Sequence, residues 1–209
     1  MQYTNLDTEK NILEGASNLF MQFGLKSVTM DDIASKVGVS KKTIYQFYKD
    51  KGEIIQNSLK KHFEEHKKTI LSAVEGSDTA LDAIFQISKC MKSQVESVNP
   101  VVMYDLQKYY PRAYHQVLEF KQKFMLELLK EILNKGIKEG LFRPEIDVQI
   151  LAIVRIEQVQ AAFNTSIFPR DKFDFFKVNI QMFDHFVHGI ITEKGREKYN
   201  YYMNHEYKF

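Results

Sequence analysis

Five polar side chains lie close together between residues 41 and 46, and their chemistry suits contact with nucleic acid. They are two amines, a hydroxyl, a phenol and an amide, from Lys41, Lys42, Thr43, Tyr45 and Gln46. Lysine neutralises phosphate charge, while hydroxyl and amide groups exchange hydrogen bonds with base edges and phosphate oxygens. The residue types therefore predict a DNA-contacting surface, provided that one element presents them on one side.

A short helix after Ser40 is the element that would present them. Ser40 is a preferred N-cap residue. At about 100° per residue, Ile44 and Tyr48 share one side of this helix, where they can pack on a preceding helix. Lys42 and Gln46 share the opposite side, and the neighbouring positions flank them.

The residues before this helix predict a partner for it. Thr29 can cap a helix whose first turn carries Asp31 and Asp32, which the helix dipole favours. Gly38 then supplies a turn, because only glycine takes a positive φ cheaply. Val39 points back toward the core. Two short helices joined by a turn that contains glycine form a helix-turn-helix, whose second helix enters the DNA major groove.

A third helix is predicted to begin after Asp50, with Glu53 completing a capping box. Lys41 and Lys51 each lie in the first turn of a helix, where the N-terminus already attracts phosphate. Residues 36–51 contain five lysines and one acid, whereas the whole chain has a net charge of only +2. The clustering of charge, and not its total, therefore favours DNA.

These landmarks resemble the N-terminal motif of the TetR family of transcriptional regulators over about residues 8–60. The resemblance rests on Thr29, Ile33-Ala34, Gly38-Val39-Ser40, Thr43-Ile44-Tyr45 and Lys49-Asp50-Lys51. It implies a three-helix DNA-binding domain, a helical effector domain and a homodimer on a double-stranded operator. A ligand-responsive regulator, most readily a repressor that a small-molecule effector releases from a near-palindromic operator, is therefore the expected function.

The resemblance also implies phosphate or base contacts from the positions held by Thr29, Ser40, Lys41, Lys42, Thr43, Tyr45 and Lys51. The chain departs from the family pattern at Phe47. This position is usually a His or Tyr that contacts phosphate, and phenylalanine cannot donate the hydrogen bond. The next position, usually the core Phe, is Tyr48. The aromatic pair is expected to have exchanged roles, which adds Tyr48 to the predicted DNA contacts.

The chain as a whole has the composition of a globular protein of 209 residues. Its single cysteine, Cys90, allows no intramolecular disulfide, which suits a reducing compartment. The first 20 residues are charged throughout and lack the apolar core of a signal peptide. The best apolar run, Ile150–Ile156, contains Arg155 and is far shorter than the ~20 residues of a membrane span. We expect a cytoplasmic protein without a membrane partner.

The remaining sequence predicts an all-α fold, with the helix-turn-helix domain followed by a helical effector-binding and dimerisation bundle. The predicted DNA-binding domain covers residues 7–50, a connector helix covers about 50–74, and the second domain covers 77–209. Its helices are expected at about 79–98, 101–109, 111–138, 147–165 and 171–192, and the tail after Gly195 could add a short one.

Two further sets of residues are predicted in the second domain. Its surplus of methionine and aromatic residues suits an adaptable pocket for a small, largely apolar effector. The candidate lining comprises Phe85, Met91, Met103, Tyr104, Tyr109, Tyr110, Phe124, Phe163 and Phe183. The last two main helices carry more apolar faces than one core needs, which predicts a four-helix bundle with a second subunit. Its candidate contacts are Ile150, Ile153, Val154, Phe176, Ile180, Phe183 and Val187.

Nothing in the sequence favours catalysis, a cofactor or a metal. Nucleotide-binding glycine loops and nucleophile motifs are missing, and His62-Phe-Glu-Glu-His66 lacks the glutamate directly after the first histidine that zinc proteases use. Arg155 interrupts an apolar helix, so it is expected either at the surface or paired. The alternative function is an all-helical small-molecule-binding protein or enzyme without a DNA role, which would not bind duplex DNA in a salt-dependent way.

Overall fold

The computed structural model describes residues 5–97, 99–164, 166–169 and 171–205, excluding the side chains of residues 91–97 and 100. Within these ranges the fold is helical, as predicted, and its only pairing of extended backbone is an isolated antiparallel bridge between Phe142 and Ile191. The helices are α1 (Asn5–Phe23), α2 (Met30–Val37), α3 (Lys41–Phe47), α4 (Lys51–Glu75), α5 (Ala80–Ser97), α6 (Pro100–Tyr109), α7 (Pro111–Glu119), α8 (Leu126–Lys138), α9 (Val148–Phe163), α10 (Phe175–Ile190) and α11 (Glu193–His205).

The chain forms two compact units. The N-terminal unit comprises Met1–Lys68 and Ser93–Phe120, and the C-terminal unit comprises Thr69–Lys92 and Lys121–Phe209. This division differs from the domain boundary predicted near residue 77. The reason is that α6 and α7 pack on the helix-turn-helix, where Val102, Leu106 and Ala113 join its hydrophobic core.

The core of the N-terminal unit is built around one isoleucine from each of its first four helices. Ile12, Ile33, Ile44 and Ile54 are completely buried. They belong to one hydrophobic cluster, in which the apolar stripe of each short helix meets the others. Because α2 and α3 are too short to be stable alone, this shared core holds them in place.

The C-terminal unit is organised around the aliphatic face of α8 and the aromatic face of α10. Leu133 and Phe142 are completely buried, and Phe183 packs edge-on against Phe85 with ring centroids 5.2 Å apart. Phe85 also lies 5.7 Å from the ring of Tyr199 in α11. The tail after Gly195 is therefore a helix that covers the core.

Several helix boundaries differ from their predictions. The helix expected at 111–138 is divided by a π-helical segment, Phe120–Met125, which separates α7 from α8. α10 begins at Phe175 and not at residue 171, because the Asp174 side chain accepts a 2.8 Å hydrogen bond from the Lys177 amide and so caps the helix there. None of the helices that the structure describes is both long enough and apolar enough to cross a membrane.

Two helical glycines offer a matched test of the C-terminal packing. A methyl group on Gly136 of α8 would overlap the Phe142 ring, whereas one on Gly189 of α10 would meet open space. Gly136→Ala should lower the free energy of unfolding by about 1–3 kcal/mol through overpacking. Gly189→Ala should raise it by up to ~1 kcal/mol, because alanine favours a helix. Urea denaturation measures both, and equal effects of the two substitutions would contradict the packing described.

Candidate nucleic-acid interface

Helix α2 is held at its start by a reciprocal cap. The Thr29 hydroxyl accepts a hydrogen bond from the Asp32 amide, and the Asp32 carboxylate accepts bonds from the Thr29 amide and hydroxyl at 2.8 and 2.7 Å. These bonds hold the pKa of the Asp32 carboxyl below its usual value. The hydroxyl of Thr29, predicted to contact DNA, is thus engaged in positioning α2.

The turn between α2 and α3 depends on Gly38. Its φ of 73° and ψ of 32° lie in the left-handed region, and its amide donates to the Ala34 carbonyl. The Val39 amide bonds to the same carbonyl, which closes the end of α2. The helix-turn-helix predicted from the sequence is therefore present, with its glycine in the expected conformation.

Helix α3 starts from Ser40, whose side chain accepts a 3.0 Å hydrogen bond from the Thr43 amide. The hydroxyl oxygens of Ser40 and Thr43 are also 2.9 Å apart. Ser40 thus fixes the first turn, as its predicted role as a cap requires, and its hydroxyl lies beside the surface expected to face DNA.

The two sides of α3 differ sharply in exposure. Ile44 is completely buried, whereas Tyr45 is 51% exposed. Lys41, Lys42 and Gln46 are also exposed, and Thr43 is half-buried. Lys41 forms a 2.9 Å ion pair with Asp31. The five side chains singled out for their chemistry therefore all reach solvent at least in part, and we call them the α3 face.

The structure corrects the prediction for Tyr48. Its side chain is only 3% exposed and belongs to the core of the N-terminal unit. Burial is the main cause that raises the pKa of Tyr48 to about 12, with the negative charge of Glu9 contributing. Phe47 packs partly against the same core. Tyr48 therefore occupies the core aromatic position of the family pattern, and Phe47 and Tyr48 have not exchanged roles.

Lys51 has a positioning role that its sequence context did not reveal. Its ammonium donates to the carbonyl oxygens of Leu25 and Val28 at 2.9 and 2.7 Å, and more weakly to that of Lys26 at 3.4 Å. It thus ties the start of α4 to the loop between α1 and α2. The predicted capping box of α4 is shifted as well, because Glu53 accepts from the Lys49 amide and not from that of Asp50.

Asp105 is a further positioning residue, which the sequence analysis missed. It is buried, and its carboxylate accepts a 2.8 Å hydrogen bond from the Lys26 amide. Asn99 likewise donates from its side chain to the carbonyl of Gln22. α6 is therefore fastened to the loop that leads into the helix-turn-helix. An acid within the apolar stripe of Val102 and Leu106 was the available signal.

The predicted effector-pocket residues are divided between the two units. Four of them lie in the N-terminal unit, namely Met103, Tyr104, Tyr109 and Tyr110, and the others lie in the C-terminal unit. Tyr104 is 54% exposed and receives a hydrogen bond from Lys108. Phe85 and Phe183 are core residues, Phe124 and Phe163 are half-buried, and the side chain of Met91 lies outside the described residues.

The predicted dimer contacts divide into two groups. Ile150 is 57% exposed, Ile153 and Val154 are also exposed on α9, and Phe176 and Ile180 are half-buried on α10. Phe183 and Val187 are buried within the subunit itself, so their prediction as dimer contacts is wrong. They lie on the side of α10 that packs inward, which helical periodicity alone did not distinguish.

The two histidines of α4 belong to an aromatic cluster. The His66 ring stacks on Phe120 of the π-helical segment, with centroids 5.6 Å apart, and Phe63 stacks on the same ring at 4.7 Å. Burial lowers the pKa of His62, and it lowers that of His66 to about 4. Within the described part of the chain, no group of three or more His, Cys, Asp or Glu side chains is placed to hold a metal ion.

Comparison with known proteins agrees with this geometry. Residues 12–57 match the profile of bacterial regulatory proteins of the tetR family. An uncharacterised HTH-type transcriptional regulator of Bacillus subtilis, YhgD, is 29% identical over 157 residues, which are 73% of this chain and 81% of that protein. The HTH-type transcriptional repressor KstR2 of Mycobacterium tuberculosis is 24% identical over 143 residues, or 67% of this chain and 72% of KstR2.

The fold also matches solved structures. A regulator from Saccharomonospora viridis, crystallised in complex with choline, has a TM-score of 0.75 at 16% identity, covering 88% of this chain and 97% of that one. At that identity the likeness concerns the fold alone. With the profile match, however, the resemblance deduced from the sequence is confirmed: the N-terminal domain is that of the tetR family, and the chain is a DNA-binding transcriptional regulator and not an enzyme.

Lys51 and Lys42 should differ in their effect on stability. Lys51→Met would remove the donor from three carbonyl groups and should lower the free energy of unfolding by about 1–3 kcal/mol, the cost of leaving partly buried acceptors unpaired. Lys42 is exposed on the α3 face, so Lys42→Met should change it by less than about 0.5 kcal/mol. Chemical denaturation of both variants tests this, and a stable Lys51→Met protein would contradict the positioning role.

Proposed function

We propose that the chain is a homodimeric repressor that binds a near-palindromic operator and leaves it when a small-molecule effector binds the C-terminal unit. The observation that carries the proposal is the contrast across α3. One side is locked into the core by Ile44, and the other presents amine, hydroxyl, phenol and amide groups to solvent. The related KstR2 is named a transcriptional repressor, which supports repression as the direction of regulation.

The α3 face would lie in the major groove, where its side chains reach base edges and phosphate oxygens. Lys42, Tyr45 and Gln46 are exposed and are assigned to direct contact with DNA. Lys41 would exchange its exposed ion pair with Asp31 for a phosphate, since such pairs contribute little to stability. Thr29, Ser40 and Lys51 would act mainly by placing the helices, and only secondarily through phosphate contacts.

A second copy of the chain is the proposed partner of the exposed apolar side of α9. Ile150, Ile153 and Val154 recur at the i, i+3, i+4 spacing that forms one stripe along a helix, and all three are exposed. The partly buried Phe176 and Ile180 of α10 are assigned to the same interface. Two recognition helices held in this way would meet successive major grooves, about one helical turn apart.

Helix α6 is the proposed link between effector and DNA. It follows α5, most of which lies in the C-terminal unit. Within the N-terminal unit it is fastened to the loop before α2 by the hydrogen bond from the Lys26 amide to Asp105. A shift of α6 would therefore move the helix-turn-helix and change the spacing of the two recognition helices. Differential binding of the effector worth a few kcal/mol is enough to release DNA.

Substitution on the α3 face should weaken DNA binding without unfolding the protein. We expect Lys42→Ala to lower affinity for duplex DNA and to reduce the slope of log affinity against log salt by about 1, the value for one phosphate contact. Fluorescence anisotropy with a labelled duplex of mixed sequence, at several salt concentrations, measures both quantities. Lys138→Ala, in the C-terminal unit, is the charge-matched control.

The same titration decides between the two functions considered. A wild-type protein without saturable, salt-dependent binding to duplex DNA would contradict a DNA role and favour the all-helical small-molecule-binding protein. An unchanged affinity and slope in Lys42→Ala, beside a wild type that binds, would remove only Lys42 from the interface.

The dimer interface is tested by placing a charge on α9. Ile153→Asp would bury an unpaired carboxylate between two subunits, so the variant should be monomeric at micromolar concentration while the wild type is dimeric. Ile167→Asp is a matched control, since Ile167 is 53% exposed but lies outside α9 and α10. Multi-angle light scattering gives the masses. A monomeric wild type, or a dimeric Ile153→Asp variant, would contradict the assignment.

A further inference from the structure

Arg155 lies on the inner side of α9, opposite the exposed stripe. At 100° per residue it is displaced by about 140° from Ile150 around the helix axis. Ala152 and Ala162, on the same inner side, are buried. Arg155 is half-buried and is directed away from the proposed second subunit, into the C-terminal unit.

The guanidinium of Arg155 is held among aromatic rings. Its Cζ atom lies over the rings of Phe183 and Phe186, 5.5 Å from each centroid, and both phenylalanines are buried. Burial lowers the pKa of Arg155 to about 10, so the group still carries its charge at neutral pH. The ring faces attract this charge but offer its N–H groups no strong acceptor.

The hydrogen-bonding capacity of this region is not filled. Nη1 of Arg155 is buried and has no hydrogen-bond partner, and the same holds for Oε1 of Gln158, three residues further along α9. Among the residues that the structure describes, no carboxylate forms an ion pair with Arg155. Arg155 was expected to be either exposed or paired, and it is instead half-buried without an ion pair to any described residue. A buried charge without a partner is costly, and such groups concentrate at binding sites.

We propose that the effector is a small organic carboxylate, whose charged end accepts hydrogen bonds from Nη1 of Arg155. Its apolar body would pack against Phe183 and Phe186, and Gln158 would bond to a second polar group. The inference rests on the proposed function, because it gives the chemical class of the effector. It also replaces the largely apolar effector expected from the sequence with an amphipathic anion.

Charge balance favours a carboxylate over a phosphate ester. One buried guanidinium carries a single positive charge, which a carboxylate neutralises. A phosphate monoester carries ~1.5–2 negative charges at neutral pH and would leave an uncompensated charge in the aromatic surroundings. The planar guanidinium also matches the planar carboxylate in hydrogen-bonding geometry.

The probes that test this are octanoate and benzoate, with 1-octanol and benzyl alcohol as their uncharged counterparts. Isothermal titration calorimetry on the full-length wild type should detect binding of at least one acid, at least ten times tighter than its alcohol. Arg155→Met, which keeps much of the volume and removes the charge, should lose at least ten-fold in affinity for that acid. It should bind the alcohol as the wild type does.

Two further variants keep the test decisive. Arg112→Met, at an exposed position on α7, should bind the acid normally, which excludes a general effect of losing an arginine. Arg155→Gln serves if Arg155→Met fails to fold, as circular dichroism would reveal. The proposal is overturned if the wild type binds neither acid, or if the variants at position 155 bind the acid as tightly as the wild type.

DNA binding separates this inference from the proposed function. The wild type on duplex DNA should be released by the acid, whereas Arg155→Met should bind DNA with the same affinity and resist release. Acid binding in a protein that does not bind DNA would overturn the regulator and leave the carboxylate site standing. DNA binding that no acid affects would overturn the carboxylate effector and leave the regulator standing.

Discussion

The DNA-binding unit depends on the burial of Ile44, which anchors a recognition helix that is too short to be stable by itself. α3 has seven residues, and isolated helices shorter than ~12–15 residues are marginal in water. Its direction is therefore set by what surrounds it, namely the shared core, the cap from Ser40 and the left-handed turn at Gly38. Because one side of α3 packs into the core, its other side faces solvent in a fixed orientation. Side chains that contact bases in a groove need such a fixed orientation.

In both units, a charged group whose hydrogen-bond partners lie within the chain is assigned a structural role. A charged group that faces solvent or lacks such a partner is assigned to ligand binding. Lys51 satisfies three carbonyl oxygens and so stabilises the loop before α2. Lys42 is exposed on the α3 face, where its charge is available for a phosphate. In the C-terminal unit Arg155 is the corresponding case, since its buried Nη1 has no acceptor in the described part of the chain. The proposals thus assign Lys42 to DNA and Arg155 to the carboxylate.

Local features could be predicted from the sequence, whereas contacts between distant residues could not. The caps at Thr29 and Ser40 and the turn at Gly38 involve neighbours within a few positions, so spacing alone revealed them. The carbonyl partners of Lys51 lie 23 to 26 residues away in the sequence, so no local sequence pattern predicts them. Similarly, the apolar stripe of α10 did not show that Phe183 faces inward, because a stripe reports amphipathicity and not the neighbour it meets.

The central claim is that two copies of α3, held at a fixed separation, read DNA. Selection of bound sequences from a random duplex pool, with purified protein at moderate salt, tests it most directly. The account predicts enrichment of a near-palindrome whose half-sites are about one helical turn, or a small multiple of it, apart. Enrichment of single half-sites without fixed spacing would contradict the dimeric arrangement. A pool that remains unselected under these conditions would contradict sequence reading by α3.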